Sequence, residues 1–213
     1  MLIAPKSKRH LVDGITLRVD NNIITPSKEL RDLASRLDPH LSMHSQATST
    51  VRAGYMHLRT VNKIREHLTN EACAKLLNAT VTSRLDYHNG LLAGSRHNVT
   101  QPLQKLQNHA ARALTRTGIW EHISPVLRDL HWLPVRKRAD FKLLSHIHCT
   151  LHHPAPLYMK EMWRLQRPGR ALRSADDEWT LSVPRVHRHE GERSAACHGA
   201  SLWNTLPSEI DNR

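Results

Sequence analysis

Two rhythms of apolar positions run through this chain, and they predict a short β segment followed by helices. From Ile15 to Pro26, Ile15, Leu17 and Val19 alternate inward, Asp20-Asn21-Asn22 turns, and Ile23 and Ile24 return, which is the pattern of a β-hairpin. Lys28 to Asp38 fits a third strand or a helix, because Leu30, Leu33 and Leu37 suit a period near 3.6 while Pro26 and Pro39 bound the stretch tightly. From Ser42 the period is helical: Ala47, Val51, Tyr55, Leu58, Val61 and Leu68 share one side, and Arg52, Arg59 and Lys63 share another. Thr69 is placed to cap the next helix, in which Cys73, Leu77, Val81 and Leu85 share a face. Arg84 lies inside that apolar arc, where it either snorkels outward, pairs with Asp86, or reaches a phosphate from a semi-buried position. Thr100 and Pro102 open a further helix with Val99, Leu103, Leu106, Ala110 and Leu114 inward and Lys105, Arg112 and Arg116 outward.

The stretch Ile123 to Leu144 predicts two helices meeting at a corner. Ser124 caps a short helix that begins at Pro125, His131-Trp132-Leu133 interrupts it, and Pro134 restarts the chain. Trp132 and Leu133 are expected as buried anchors, with Leu143, Leu144, Ile147 and Leu151 on one face of the second helix. Arg136, Lys137 and Arg138 crowd its first turn, the end of a helix dipole that disfavours cations, so an anion nearby would be welcome. After Pro154 and Pro156 the pattern fades. Arg164, Arg167, Arg170 and Arg173 recur every third residue across Pro168-Gly169, which suits an extended track or disorder rather than a helix. Trp179 to Val183 reads as a short strand, and Ala200 to Leu206 as a final turn carrying Trp203 into the core.

Charge sharpens this picture. Among 213 residues, 31 Lys and Arg face 19 Asp and Glu, a net charge of +12, with a pI near 10.3. Such an excess points to an anionic partner, nucleic acid before membrane. No apolar run reaches the roughly 18 residues of a membrane span, and the first ten residues lack the apolar centre of a secretion signal, so an intracellular protein, in nucleus or cytoplasm, is expected. Three well-separated cysteines, Cys73, Cys149 and Cys197, fit reduced thiols. A single Phe, Phe141, leaves the core to Leu, Val, Ile, Ala and five Trp.

Catalytic patterns are sparse. His146, Cys149 and His153 stand at i, i+3 and i+7, a zinc-like spacing that Pro154 breaks by pushing His153 out of helical geometry. His187, His189, Cys197 and His198 match no zinc pattern. Asp176-Asp177 has the form of a two-metal carboxylate pair but follows an Arg-rich irregular segment instead of a hydrophobic hairpin. There is no glycine-rich phosphate loop and no nucleophile elbow.

Five ordered blocks carry a resemblance: SRLDYHNGLLAG from Ser83, LQKLQNHAAR from Leu103, HISPVLRDLHWLPVR from His122, RALRSA from Arg170 and SLWNTLP from Ser201. Together they resemble the C-terminal part of a non-LTR (LINE-type) retrotransposon reverse transcriptase, an RNA-directed DNA polymerase. The resemblance implies a mainly α fold, a helical thumb-like bundle with a small N-terminal β-hairpin remnant of the palm and an irregular C-terminal segment. It divides the chain into a palm remnant at 1–41, a thumb-like region at 42–156 and an Arg-rich segment at 157–213. The parent copies RNA into DNA using Mg²⁺ held by palm aspartates, which would precede Met1. The chain is thus expected as a fragment, separated from the palm and fingers of the parent polyprotein, with no cofactor and no polymerase catalysis of its own. Its partners would be RNA template and DNA primer, held by Arg52, Arg59, Lys63, Arg84, Lys105, Arg112, Arg116, Arg136, Lys137 and Arg138. The family usually has Gly-Val where Ala34-Ser35 stands and Cys at His88. A zinc-binding His/Cys accessory module and non-functional transposon debris are the alternatives.

Overall fold

The computed structural model describes residues 1–3, 10, 12, 14–166 and 179–207. It is mainly helical, with short antiparallel strands near the N-terminus. Two compact units divide the chain, one of Met1–His88 with Ser95–Val135, the other of Asn89–Gly94 with Arg136–Arg213. The division at Val135 falls inside the stretch expected as one helical region. Asp176 and Asp177, with Arg167, Arg170 and Arg173, lie outside the described residues.

In the first unit, β1 (Leu17–Val19) pairs with β2 (Asn22–Ile24), Val19 opposite Asn22, so the turn is Asp20-Asn21. The alternation does not point inward: Ile15, Leu17, Val19, Ile23 and Ile24 are all exposed. A two-stranded ribbon has no buried face until something covers it, so period 2 located the strands without creating a core. Lys28 to Asp38 resolves as a second hairpin, β3 (Leu30–Asp32) and β4 (Ser35–Leu37), turning at Leu33-Ala34. Both turn residues have positive φ, 43° and 64°. That pair of signs belongs to the turn whose twist matches the strands, and it strains residues carrying a Cβ. The Tyr87 hydroxyl donates to Leu33 O at 2.6 Å, and the buried Ser35 hydroxyl bonds His88 Nδ1.

Asp38 turns the chain from this hairpin into the helices. Its carboxylate accepts from His40 N at 2.9 Å and from the Ser42 hydroxyl at 2.8 Å and Ser42 N at 3.1 Å. Burial pushes the carboxyl pKa up, and the hydrogen bonds from Ser42 and His40 outweigh it, leaving the pKa below its ordinary value.

Helix α1 (His44–Ile64) then buries Ala47, Gly54, Leu58 and Val61. Helix α2 (Asn70–Leu77) starts as expected, with the Thr69 hydroxyl accepting from Ala72 N. Cys73, Leu77, Val81 and Leu85 are all buried. Residues repeating every fourth position would drift about 40° per step around an α-helix. A wider π turn at Asn78–Thr82 takes up that drift before α3 (Ser83–Asp86). The hydroxyls of Thr80 and Ser83, donating back to Leu76 O and Ala79 O, loosen the ladder there. The same turn swings Arg84 outward, so it is exposed instead of semi-buried.

Helix α4 (His97–Thr115) begins three residues before Thr100 and carries Pro102 inside it. It buries Val99, Leu103, Leu106, Ala110 and Leu114 as the pattern predicts. Gly54 of α1 lies against Leu106, Tyr55 meets His109, and Arg65 meets the end of α4, so α1 and α4 run side by side in the same direction. A Cβ on Gly54 would run into the Leu106 side chain, which would have to shift, so glycine allows this close approach.

Arg65, just past α1, is the charged residue buried at the centre of this arrangement. Its Nε donates to Ala113 O at 2.8 Å, Nη1 to Leu68 O at 3.0 Å, and Nη2 to Asn70 Oδ1 at 2.6 Å and Leu114 O at 2.8 Å. One planar fork thereby joins the ends of α1 and α4 to the start of α2.

The corner differs from expectation in its anchors. Helix α5 (Ile123–Asp129) begins before Ser124, and no side chain caps it. Pro125 sits within the first turn, where its missing N–H leaves no bond unmade. The helix stops with His131 at φ 53°, His131 N bonding Arg128 O and Trp132 N bonding Leu127 O. That is the left-handed cap in which glycine usually stands. Trp132 is half-buried and Leu133 exposed. Two amides of α4 hold the backbone at Leu133 and Val135: Gln107 Nε2 donates to Leu133 O, and Gln104 Oε1 accepts from Val135 N, both at 2.8 Å.

In the second unit, α6 (Val135–His152) buries Leu143 and Ile147. Helix α7 (Leu157–Met162) precedes buried Trp163, whose indole N–H donates to Ala195 O at 3.0 Å. In place of a strand at Trp179–Val183 there is a single bridge between Leu165 and Leu181, and Asn204 holds Leu181 through both its N–H and carbonyl. After the short α8 (His189–Glu192), the final turn is a full helix, α9 (Ala195–Trp203), capped by Ser194, and it does carry Trp203 into the core. Trp163 and Trp203 are buried, whereas Trp120 is wholly exposed and Phe141 is exposed, so the core rests on fewer aromatics than expected.

Two outcomes follow from these contacts. Arg65→Ala strands three carbonyls, and urea denaturation should show a loss of about 3 kcal/mol, only partly recovered by Arg65→Lys; a loss below about 1 kcal/mol would contradict the role given to the fork. Because the folded pKa of Asp38 is depressed, its contribution is complete above the unfolded value of about 3.9 and fades as pH falls below it. Asp38→Asn should therefore flatten the acid limb of a Tm-against-pH curve, and an unchanged limb would contradict the assignment.

Candidate nucleic-acid interface

Positions seven and eleven apart return to nearly the same side of a helix, so α1 presents Arg52, Arg59 and Lys63 as one stripe and α4 presents Lys105 and Arg112 on one side, whereas Arg116, expected with them, follows the last residue of α4 at φ 59° and leaves the helical spacing. Because the two helices run in the same direction, the C-terminal halves of both stripes border one open groove of about 690 Å³. Arg59, Lys63 and Arg112 line it, together with Tyr55, Asn62, His109 and Ile119, over a floor that includes Leu58 and Ala113. Cations in the last turns of α1 and α4 also suit the negative ends of those helix dipoles.

Charge in the groove is largely uncompensated. Among the described residues, Arg52, Arg59, Lys63, Arg84, Lys105, Arg116, Arg136 and Lys137 form no ion pair. Arg112 is spent differently: its Nε donates to Gly118 O at 3.1 Å and Nη2 to Glu121 O at 2.8 Å. The half-buried guanidinium thus fixes the loop that follows α4, and Glu121 closes the same loop by accepting from Gly118 N at 2.9 Å. Tyr55 and His109 meet across the groove, hydroxyl to Nδ1 at 2.8 Å, and burial raises the Tyr55 pKa, keeping the phenol neutral.

The ten residues singled out from sequence are therefore dispersed. Three border the groove; Arg52 and Lys105 continue its stripes; Arg116 lies just past the end of α4, and Arg84 stands apart on α3. Arg136 and Lys137, exposed, and Arg138, half-buried, belong to the second unit. Tyr55, Asn62, His109 and Ile119 were not foreseen as site residues. His109 was within reach of the pattern, since it stands four residues after Lys105 and three before Arg112.

His146, Cys149 and His153 are all exposed, and among the described residues no group of three or more His, Cys, Asp or Glu is arranged to hold a metal ion. Among the same residues no helix is long and apolar enough to cross a membrane. No protein-family model matches the chain, and neither the curated proteins nor the solved structures give a match.

Removing the Arg112 fork should free the loop. In Arg112→Ala, amide exchange at residues 117–121 should accelerate while global stability falls by only about 1 kcal/mol. Unchanged exchange in that loop would contradict the clamp.

Proposed function

We propose that this chain is the thumb-like, nucleic-acid-binding part of a non-LTR retrotransposon reverse transcriptase, holding template–primer or element RNA without polymerising alone. The observation that carries the reading is the groove between α1 and α4, bordered by Arg59 and Lys63 with no carboxylate paired to either among the described residues. Uncompensated cations along two adjacent helices suit a phosphate backbone, where they release condensed counterions on binding. The five sequence blocks and the mainly helical fold agree with that origin. On this reading the Mg²⁺ of the parent enzyme is held by palm aspartates outside this sequence, the partners are RNA template and DNA primer, and the compartment is the nucleus or cytoplasm.

Contacts of this kind position a backbone without reading bases, so affinity should depend on salt and little on sequence. With roughly 6–10 phosphates engaged, affinity should fall ~10³–10⁵-fold between 50 and 200 mM salt. Arg59→Ala with Lys63→Ala should weaken binding across sequences and reduce the salt slope by about 2. A flat salt response, or no effect of the double substitution, contradicts the proposal. Primer extension by this chain should be absent.

A further inference from the structure

The loop closing the groove carries two apolar residues that fold stability does not explain. Trp120 is 96% exposed and Ile119 69% exposed. A free indole on a floppy loop would mean little, but this loop is held at both ends. Arg112 grips Gly118 O and Glu121 O, and the Glu121 carboxylate takes Gly118 N. The chain therefore fixes the backbone around Trp120 while leaving its ring uncovered. Ile119, the neighbouring residue, lines the groove that Arg59 and Lys63 border.

Resting on the reading above, we propose that Trp120 is a stacking platform for an unpaired base, so that the groove takes the unpaired stretch of a template or element RNA in preference to fully paired duplex. An indole face stacks on any base, and a held loop has already given up the freedom that binding would otherwise cost. Bases within a duplex are stacked on one another and offer no free face. Arg59 and Lys63, unpaired among the described residues, border the groove that Ile119, the residue before Trp120, also lines, which suits a strand whose backbone follows the two cations while one base turns onto Trp120. An apolar protein surface would leave those cations uncompensated, which argues for the polyanion.

Fluorescence anisotropy with a labelled twelve-nucleotide oligo(U) and a twelve-base-pair duplex tests this on the full chain. Trp120→Ala should weaken single-strand binding about tenfold and leave duplex binding unchanged, with Trp120→Phe restoring most of the loss. An equal loss on both ligands, or none on either, overturns the platform. If Arg59→Ala with Lys63→Ala still weakens binding in that case, the basic-groove reading survives; if the unsubstituted chain binds neither ligand, both fall. Self-association that sedimentation detects in the unsubstituted chain and not in Trp120→Ala would also overturn the proposal, in favour of a contact between copies.

Discussion

A guanidinium in a protein interior must find acceptors for its donors, or it costs more than the surrounding packing returns. Arg65 finds them in Leu68 O, Ala113 O, Leu114 O and Asn70 Oδ1, and two of the four, Ala113 O and Leu114 O, are carbonyls of the last turn of α4 that lack partners within their own helix. The charge and the orphan carbonyls satisfy each other. Much of the first unit follows: α1 is held beside α4 in the same direction, α2 departs from a fixed point, and Gly54 can seat Leu106. Neither apolar face alone would set that direction, since the same residues would bury in an antiparallel pair.

Parallel alignment has an electrostatic consequence. Two helices running together bring two negative dipole ends to one place, and the basic residues of their last turns gather there. Lys63 and Arg112 offset the dipoles, and Arg59 adds charge beyond that need. The groove is thus a structural by-product of the Arg65 knot and, on the reading proposed, its useful face. Arg112 shows the compromise, because it gives its donors to the loop carrying Trp120 and leaves the open positive charge to Arg59 and Lys63.

Periodicity made much of this legible. Leu103, Leu106, Ala110 and Leu114 are buried where spacing put them, Thr69 caps its helix, and the first hairpin turns within Asp20-Asn21-Asn22, with Asn22 already paired in β2. The failures have separate causes. Leu33-Ala34 contains no residue that favours positive φ, so the second hairpin left no turn signal, although glycine at Ala34 would relieve the strain. For Arg84 the spacing left three alternatives open, and the π turn, which no 3.6-residue template contains, goes with the exposed one. Spacing makes Leu133 a side-chain anchor, whereas it is the backbone at Leu133 and Val135 that Gln107 and Gln104 hold from another helix. Nothing in the spacing singles out Arg65, since the carbonyls that bury it belong to residues almost fifty positions away.

The most direct measurement is a backbone amide chemical-shift titration of the intact chain with a short single-stranded oligonucleotide at low salt. The account predicts shifts concentrated in the last two turns of α1, the last two turns of α4 and residues 117–121, fading together as salt is raised. Shifts confined to other surfaces, or none at all, would contradict it.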